Sequence, residues 1–321
     1  MTENRKLIEI IKEMLASAPD ESAGEGFALL APKLYLCATP IGNLGDITVR
    51  TLETLKGVKR IYCEDTRNTI KLLNAFGIKK PLESCHEHNE KGRAERIADE
   101  VRAGDAVAFV SDAGMPGVSD PGAELIKRFI ELGLPFEVLP GASAMTTAWI
   151  ISGMDTKSFV FHGFLPRSGA ERTEALERIA KSSETACVYE SPLRVGATLK
   201  ELAAAIEKLG SSAEARPCAL VREITKAFEE CVRASVAELA KRYENEPPKG
   251  ECVLVIGPAE GAGAGGEDER LDPLLSALLA EGVSVKTAAR IASETLDLPK
   301  NAAYKRAMEL KQLKEQIVYN I

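Results

Sequence analysis

The most constraining feature of the chain is a regular alternation, beginning at residue 33, between short apolar runs and amphipathic segments. The runs are apolar at nearly every position, as in strands that helices cover on both faces. Strands alternating with helices of this length predict parallel α/β units. The predicted strands are 33–38, 60–63, 81–85, 106–110 and 136–139, and the predicted helices are 49–56, 68–76, 90–103, 123–132 and 143–151.

A second alternation follows a break near residues 152–155. Its predicted strands are 158–162, 185–189, 216–221, 227–234 and 251–256, and its predicted helices are 170–181, 193–209 and 235–243. Strands 216–221 and 227–234 lie too close in sequence for a parallel crossover, which predicts an antiparallel hairpin. The second domain is therefore expected to be mixed.

The same patterns divide the chain into five parts. We predict an N-terminal extension (1–30), a first α/β domain (31–153), a second α/β domain (154–259), a linker (260–270) and a helical tail (271–321). The linker prediction rests on the glycine-rich string GAGAGGEDE. The tail is expected to form helices at 272–281, 286–296 and 300–317.

Composition restricts the class of protein. Hydrophobic residues make up 45% and charged residues 28%, as in ordinary globular proteins. The net charge of −7 argues against a surface coated in basic charge for non-specific nucleic-acid binding. Seven cysteines occur mostly in apolar runs without a C-x-x-C pair, which predicts buried reduced thiols and a cytoplasmic protein. No apolar run approaches the roughly 18 residues of a membrane span.

Two loops follow predicted strands at the edge where open α/β sheets bind ligands. The first, loop 39–46, has the sequence TPIGNLGD, and the second, loop 111–122, has the sequence SDAGMPGVSDPG. Their glycines allow backbone to approach a ligand closely, and Asp112 can accept hydrogen bonds from ribose hydroxyls or an amine. The first loop lacks the dinucleotide and P-loop fingerprints. We predict that the two loops bind a cofactor; the alternative is a pair of structural turns.

Other polar and small residues end neighbouring strands. Segment 140–144 is small enough to leave room for a ligand, and Asp120 with Pro121 predicts a helix start. Arg67 could hold a phosphate, whereas Asp65 could equally cap a helix. His86 and His88 could contact substrate, bind a metal or serve the structure, and no third metal ligand is apparent.

Ordered strings between about residues 33 and 256 resemble the tetrapyrrole methylase superfamily, and within it the branch that methylates small-subunit ribosomal RNA. These strings are ATPIGNL (38–44), EDTR (64–67), HEHN (86–89), SDAGMPG (111–117), SDPG (119–122), GFLPR (163–167), YESP (189–192), REITK (222–226) and PKGE (248–251).

The resemblance implies two α/β domains with S-adenosyl-L-methionine in the cleft between them, and a homodimer. It implies methyl transfer to the ribose 2′-oxygen of a cytidine in the decoding region of 16S ribosomal RNA. It further implies cofactor contacts from Pro40, Asp112, Gly114, Met115, Ser143, Ala144, Tyr189 and Leu220.

The helical tail resembles a helix-turn-helix-like domain of this branch. Residues 284–316 contain seven basic and four acidic side chains, a surplus that suits phosphate contact. The alternative is an ordinary solvated pair of helices.

Methyl transfer to a ribose hydroxyl requires alignment and a base that removes the proton. The candidate bases are Asp65, His86 and His88, with Arg67 or Lys249 holding phosphate. Two other functions stay open, which are methylation of a small macrocycle and a catalytically silent nucleic-acid-binding module.

Overall fold

The structure is a computed structural model that describes residues 6, 8–13, 30–86, 89–154, 157–259, 270–296, 298 and 300–319, with side chains as far as 311. These residues form two five-stranded sheets and three terminal helices. The strands are β1 (Leu34–Cys37), β2 (Arg60–Cys63), β3 (Leu82–Ser84), β4 (Val107–Val110), β5 (Phe136–Leu139), β6 (Phe159–Phe164), β7 (Thr185–Glu190), β8 (Pro217–Arg222), β9 (Glu230–Ser235) and β10 (Cys252–Ile256).

The helices complete the alternation predicted from the sequence. They are α1 (Val49–Gly57), α2 (Thr66–Ala75), α3 (Glu90–Arg102), α4 (Ala123–Glu131), α5 (Ala144–Ser152), α6 (Ala170–Lys181), α7 (Val195–Lys208), α8 (Val236–Arg242), α9 (Leu271–Ala280), α10 (Val285–Leu296) and α11 (Lys300–Tyr319). The chain divides into two compact units. The first unit is Met1–Ile151 with Val221–Cys231 and Lys249–Val253, and the second unit is Ser152–Leu220 with Val232–Pro248 and Leu254–Ile321.

The first sheet is parallel, with strand order β3-β2-β4-β1-β5. Leu36 in β1 pairs with Phe109 in β4 and with Val138 in β5, and Tyr62 in β2 also pairs with Phe109. The prediction of a parallel sheet in the first domain is confirmed.

Both faces of this sheet are covered, which explains the continuous apolar runs. On one face, Tyr35 and Cys37 of β1 join a core with side chains of α1 and α2. On the other face, Leu34 and Leu36 join a core with side chains of α3 and α4. Alternate residues of a single strand therefore serve opposite cores.

Strands β1 and β4 are neighbours whose outgoing connections leave in opposite directions. From β1 the chain passes β4 to reach β2, and from β4 it passes β1 to reach β5. The helices that follow these strands accordingly lie on opposite faces of the sheet. Such a switch point opens a crevice beyond the carboxyl ends of the two strands, where open α/β sheets bind ligands.

The second sheet has the order β6-β7-β10-β8-β9. Strands β6 and β7 are parallel, with an irregularity between Phe161 and Phe164. Strands β8 and β9 are neighbours joined by only seven residues, 223–229, which is too short for a parallel crossover. The predicted antiparallel hairpin and the mixed character of this sheet follow. Strand β9 begins at Glu230, three residues after the predicted start, because a tight turn occupies the preceding residues.

The three terminal helices enclose a core of their own. Leu271 and Leu275 of α9 pack with small side chains from α10 and α11, including Ala292 and Ala303. Buried alanines let the helices approach closely. The guanidinium of Arg306 also forms an ion pair with Asp272, which joins the last helix to the first.

Two predictions from composition concern the cysteines and the membrane. None of the seven cysteines, all of which the structure describes, is in a disulfide, and all but the half-buried Cys231 are buried, which confirms the predicted buried reduced thiols. No helix in the described part of the chain has the length and apolarity to cross a membrane.

Candidate active site

The two predicted cofactor loops lie at the switch point and are joined by their backbones. Thr39 donates its N–H to the carbonyl of Gly114 at 2.9 Å, and Gly114 donates back to Thr39 at 3.0 Å. The Thr39 hydroxyl also donates to the carbonyl of Ser111 at 3.2 Å. Gly114 has φ +77°, in the left-handed region that favours glycine. Loop 39–46 and loop 111–122 are therefore held as one structure.

Segment 140–144 completes this edge, because it follows β5, the other neighbour of β1. A Cβ on Gly141 would lie 2.6 Å from the Cβ of Ala38, so only glycine permits this approach. The carbonyl of Ser143 accepts hydrogen bonds from the N–H and hydroxyl of Thr147, at 3.2 and 2.8 Å. Ser143 and Ala144 thus stand at the start of α5.

Asp112 presents an exposed carboxylate whose position is fixed by neighbouring donors. Its Oδ1 accepts the backbone N–H of Asp65 at 3.1 Å, and its Oδ2 accepts the side-chain amide of Asn68 at 2.8 Å. Each oxygen keeps capacity for another hydrogen bond. The structure therefore joins the end of β2 to loop 111–122 and leaves a carboxylate available to a ligand.

Asp65 caps α2 and is engaged with Arg67. Its carboxylate accepts the backbone N–H of Arg67 at 2.8 Å and the guanidinium at 2.6–3.1 Å. These hydrogen bonds from Arg67 lower the pKa of Asp65 to about 2. A carboxylate this acidic is a weak proton acceptor near neutral pH. The side chain of Arg67 is 84% exposed, so its unbonded face can still meet a phosphate.

Asp120 has the opposite character. Burial, together with the nearby charges of Glu64 and Asp112, raises its pKa to about 7. Burial also raises the pKa of Glu64. Helix α4 begins at Ala123, the residue predicted from the sequence, but its N-cap is Gly122 with φ 128°. The predicted helix-start signal at Asp120 and Pro121 is therefore wrong, because the first turn begins after them.

Glu90 performs the capping that the sequence assigned elsewhere. It is 5% exposed, and its Oε1 accepts the N–H groups of Gly122 at 3.0 Å and Leu125 at 2.9 Å. A residue at the start of α3 thus satisfies the first turn of α4. In the sequence, Glu90 is only a glutamate at the end of a polar run. No local pattern indicates that it contacts Gly122 and Leu125.

Of the two predicted histidines, His86 falls on the same edge of the sheet. His86 follows β3, its backbone N–H donates to Asn89 at 2.9 Å, and its ring lies near Glu64. The Asn89 side-chain amide is 3.3 Å from Nε2 of the same ring. His88 lies outside the described residues.

The turn between β8 and β9 lies against loop 39–46 in the first unit, and sequence reasoning gave it no role. Glu223 and Thr225 have positive φ values of 51° and 64°. Such a conformation is uncommon for any residue other than glycine, and most unusual for a β-branched one such as Thr225. The hydroxyl of Thr225 donates to Asp46 at 2.6 Å. A Cβ on Gly42 would lie 2.5 Å from Cγ of Lys226, whose ammonium bonds Glu223 and Glu251 at 2.9 Å each. Strained residues kept in such contacts favour a functional turn.

The remaining predicted contacts are distributed over both units. Pro40 and Met115 are half-buried in their loops. In the second unit, the ring of Tyr189 packs edge-on against Phe161 and Phe164 at 4.9 and 5.6 Å, and Leu220 is fully buried. Lys249 is exposed.

The basic surplus of the terminal helices is partly neutralised. Arg290 pairs with Glu294, and Arg306 pairs with Asp272 and Glu309. Lys286, Lys300 and Lys305 are exposed and form no such pair within the described residues. Three lysines therefore remain available for phosphate contact.

These features fit a nucleoside-containing cofactor. The walls of the crevice are loops of small residues whose backbones approach one another closely, as at Gly114 and Gly141. The exposed carboxylate of Asp112 is an acceptor of the kind that ribose hydroxyls can use. The fold and this edge together are typical of α/β proteins that bind a nucleoside-containing ligand in glycine-rich loops at a switch point.

Comparison with known proteins agrees with that class. The model of the Tetrapyrrole (Corrin/Porphyrin) Methylases matches residues 33–240, and the model of the RsmI C-terminal HTH domain matches residues 265–311. The chain therefore belongs to the tetrapyrrole methylase family. Its curated relatives include proteins named ribosomal RNA small subunit methyltransferase I from Synechocystis (40% identical, over 86% of this chain and 98% of the relative) and Vibrio cholerae (40%, over 87% and 95%).

Solved structures of low sequence identity share the fold. A conserved hypothetical protein from Aeropyrum pernix K1 gives a TM-score of 0.57 at 18% identity, over 72% of this chain and 86% of that one. A cobalt precorrin-4 methyltransferase gives 0.52 at 18% identity, over 70% and 95%. Uroporphyrin-III C-methyltransferase from Thermus thermophilus, solved with S-adenosyl homocysteine, gives 0.51 at 20% identity, over 70% and 97%.

Membership of this methylase family confirms the predicted fold, two α/β domains with a helix-turn-helix-like tail. It also confirms S-adenosyl-L-methionine as the cofactor.

Proposed function

We propose that the protein transfers a methyl group from S-adenosyl-L-methionine to the ribose 2′-oxygen of a cytidine in the decoding region of 16S ribosomal RNA. The observation that carries this proposal is the extent of the similarity to relatives named for small-subunit ribosomal RNA. It covers 98% of the Synechocystis relative and 92% of the Bacillus subtilis relative. The model of the RsmI C-terminal HTH domain also matches residues 265–311, which include terminal helices whose exposed lysines suit phosphate contact.

We propose that the cofactor is held by the loops at the switch point. Asp112 accepts hydrogen bonds from its ribose or amine, while Pro40, Gly114 and Met115 contribute backbone and surface. Ser143 and Ala144 shape the adjoining wall, and Tyr189 and Leu220 stay predicted contacts from the second unit. When bound, this cofactor supplies a methyl group on a positively charged sulfur, which departs as a neutral thioether.

The residues of the chain must then align the ribose oxygen and accept its proton. For the ribose oxygen to accept the methyl group, its hydroxyl proton would have to pass to a base of the chain. Because Asp65 is bound to Arg67 and strongly acidic, it serves better as the anchor of Arg67 than as that base. We assign the proton to His86, with Arg67 or Lys249 holding a phosphate of the substrate. Asp120, with a pKa of about 7, is the second candidate.

The test is mass-spectrometric mapping of 2′-O-methylation in 16S RNA incubated with the protein and S-adenosylmethionine. Free RNA and assembled small subunits are used in parallel, with the Asp112→Ala variant as control. A methylated ribose at one cytidine is expected. No methylation in either substrate, or a methyl group on a base, would contradict the proposal. Variants His86→Gln and Asp120→Asn separate the two bases, since loss of the true base removes the acidic limb of the pH–rate profile.

Methylation of a corrin or porphyrin precursor is the rival function, because the family model is named for such substrates. It would not require the terminal helices. Activity on a porphyrin-type precursor that survives removal of residues 265–321, with none on ribosomal RNA, would favour it. We further propose that the protein acts in the cytoplasm as a homodimer, to be checked by light scattering at working concentration.

A further inference from the structure

A groove of about 520 Å³ runs beside α2 in the first unit. One wall is the face of α2 that carries Arg67, Ile70 and Asn74, which are spaced so that they project in the same direction. The other wall is the segment that follows α2 and contains Ile78, Lys79 and Lys80. None of these residues has a role in the proposed methyl transfer except Arg67, at one end.

The groove is basic in an acidic protein. Among the residues that the structure describes, its lining includes Arg67, Lys79 and Lys80 and no aspartate or glutamate, although the chain carries a net charge of −7. Arg67 is paired with Asp65, but neither lysine has a carboxylate within ion-pair distance in the described structure. Lys80 is half-buried, and burial lowers its pKa. A partly desolvated ammonium without a counter-charge favours an anionic ligand.

The floor of the groove is apolar. Ile70 is 49% exposed, which is high for a large aliphatic side chain in a helix. It lines the groove together with Leu73 and Ile78, and the same groove is lined by the three cations. Apolar surface flanked by cations suits single-stranded nucleic acid, since bases cover the floor and phosphates meet the charges. A ten-residue helix is about 15 Å long, so the groove can follow a few nucleotides.

The position of the groove links it to the candidate active site. The end of the groove nearest the candidate active site is Arg67, in the first turn of α2. Asn68 in the same turn donates a hydrogen bond to Asp112 of loop 111–122. The opposite end is Lys79 and Lys80, which precede β3. We propose that this groove binds the single-stranded RNA that flanks the target nucleotide. This inference rests on the proposed ribosomal RNA substrate.

The test uses the full chain and a short fluorescent single-stranded RNA. The variant Lys79→Gln/Lys80→Gln is compared with Lys181→Gln/Lys241→Gln, which removes the same charge from exposed positions of α6 and α8. The groove variant should bind RNA more weakly by on the order of tenfold at moderate salt. The slope of log K against log[salt] should flatten by roughly 1.4, about 0.7 for each lost phosphate contact. S-adenosylmethionine binding, measured by calorimetry, should not change.

A second variant separates the apolar floor from the charges. Ile70→Ala should weaken RNA binding severalfold without changing the salt slope, because a base contact releases no counterions. Wild-type affinity and slope in the lysine variant would overturn the inference. It would also be overturned if RNA binding were unchanged and only binding to assembled subunits were lost, since a protein would then occupy the groove. Failure of the wild type to methylate ribosomal RNA would instead contradict the proposed function.

Discussion

The side-chain amide of Asn68 donates a 2.8 Å hydrogen bond to Oδ2 of Asp112. The two residues are far apart in sequence, since Asn68 is in the helix after β2 and Asp112 is in the loop after β4. A second donor, the backbone N–H of Asp65, reaches Oδ1 of the same carboxylate. The carboxylate is thereby oriented before any ligand arrives, which reduces the entropy lost on binding.

Asp112→Ala should weaken S-adenosylmethionine binding without unfolding the protein. Loss of a charged acceptor costs about 1.5–3 kcal/mol, or roughly 10- to 150-fold in the dissociation constant. Calorimetry measures the affinity, and the thermal midpoint reports the fold. Asn68→Ala keeps the carboxylate but removes one of its donors, so a smaller loss is expected. Equal affinity in Asp112→Ala and wild type would remove Asp112 from the cofactor site.

Asp120 should make stability depend on pH. Its pKa is about 7 in the folded protein, against an ordinary value of 3.8. Between these values the folded state holds a proton that the unfolded state has released, so stability falls as the pH rises through this window. Asp120→Asn removes this contribution.

The measurement is urea unfolding at pH 5 and pH 8. The stability difference between the two pH values should be smaller in Asp120→Asn than in wild type. Asp99→Asn, an exposed carboxylate of α3, is the control and should behave like wild type. Identical pH dependence in all three proteins would show that Asp120 titrates normally.

Glu90 should be required for stability rather than for chemistry. Glu90→Ala leaves the N–H groups of Gly122 and Leu125 without their buried acceptor. A loss of about 1–3 kcal/mol in the free energy of unfolding is expected. Glu90→Gln retains an oxygen and should lose less. If Glu90→Ala unfolded at the same urea concentration as wild type, another group would have to cap α4.

Thr225 and Asp46 should be energetically coupled. Their 2.6 Å hydrogen bond joins the strained turn to loop 39–46. A double-mutant cycle with Thr225→Val and Asp46→Ala should give a coupling energy of about 1 kcal/mol. Thr225→Ser keeps the hydroxyl and removes the branched Cβ at φ 64°, so it should be at least as stable as wild type. Strictly additive effects would mean that the contact does not stabilise the protein.

The elements of the fold were predictable from local pattern. Most predicted strands and helices lie within two residues of the observed ones, because burial on both faces of a sheet leaves a continuous apolar run. The exception among the described elements is β9, whose start depends on the strained turn at Glu223 and Thr225. The cap of α4 was also beyond local pattern, because its acceptor is Glu90, some 30 residues earlier.

The amino-acid sequence by itself determined the α/β alternation, the glycine-rich loops and, through the order of its motifs, the family. These are properties of neighbouring residues, which set backbone freedom and the periodicity of burial. Only the tertiary structure decided the strand order, and so brought loop 39–46 and loop 111–122 together at a switch point. The tertiary structure also decided the pKa values of the carboxyl groups at this edge. Asp65 and Asp120 are the same residue type at one edge of a sheet, but a paired guanidinium lowers one pKa and burial among carboxylates raises the other.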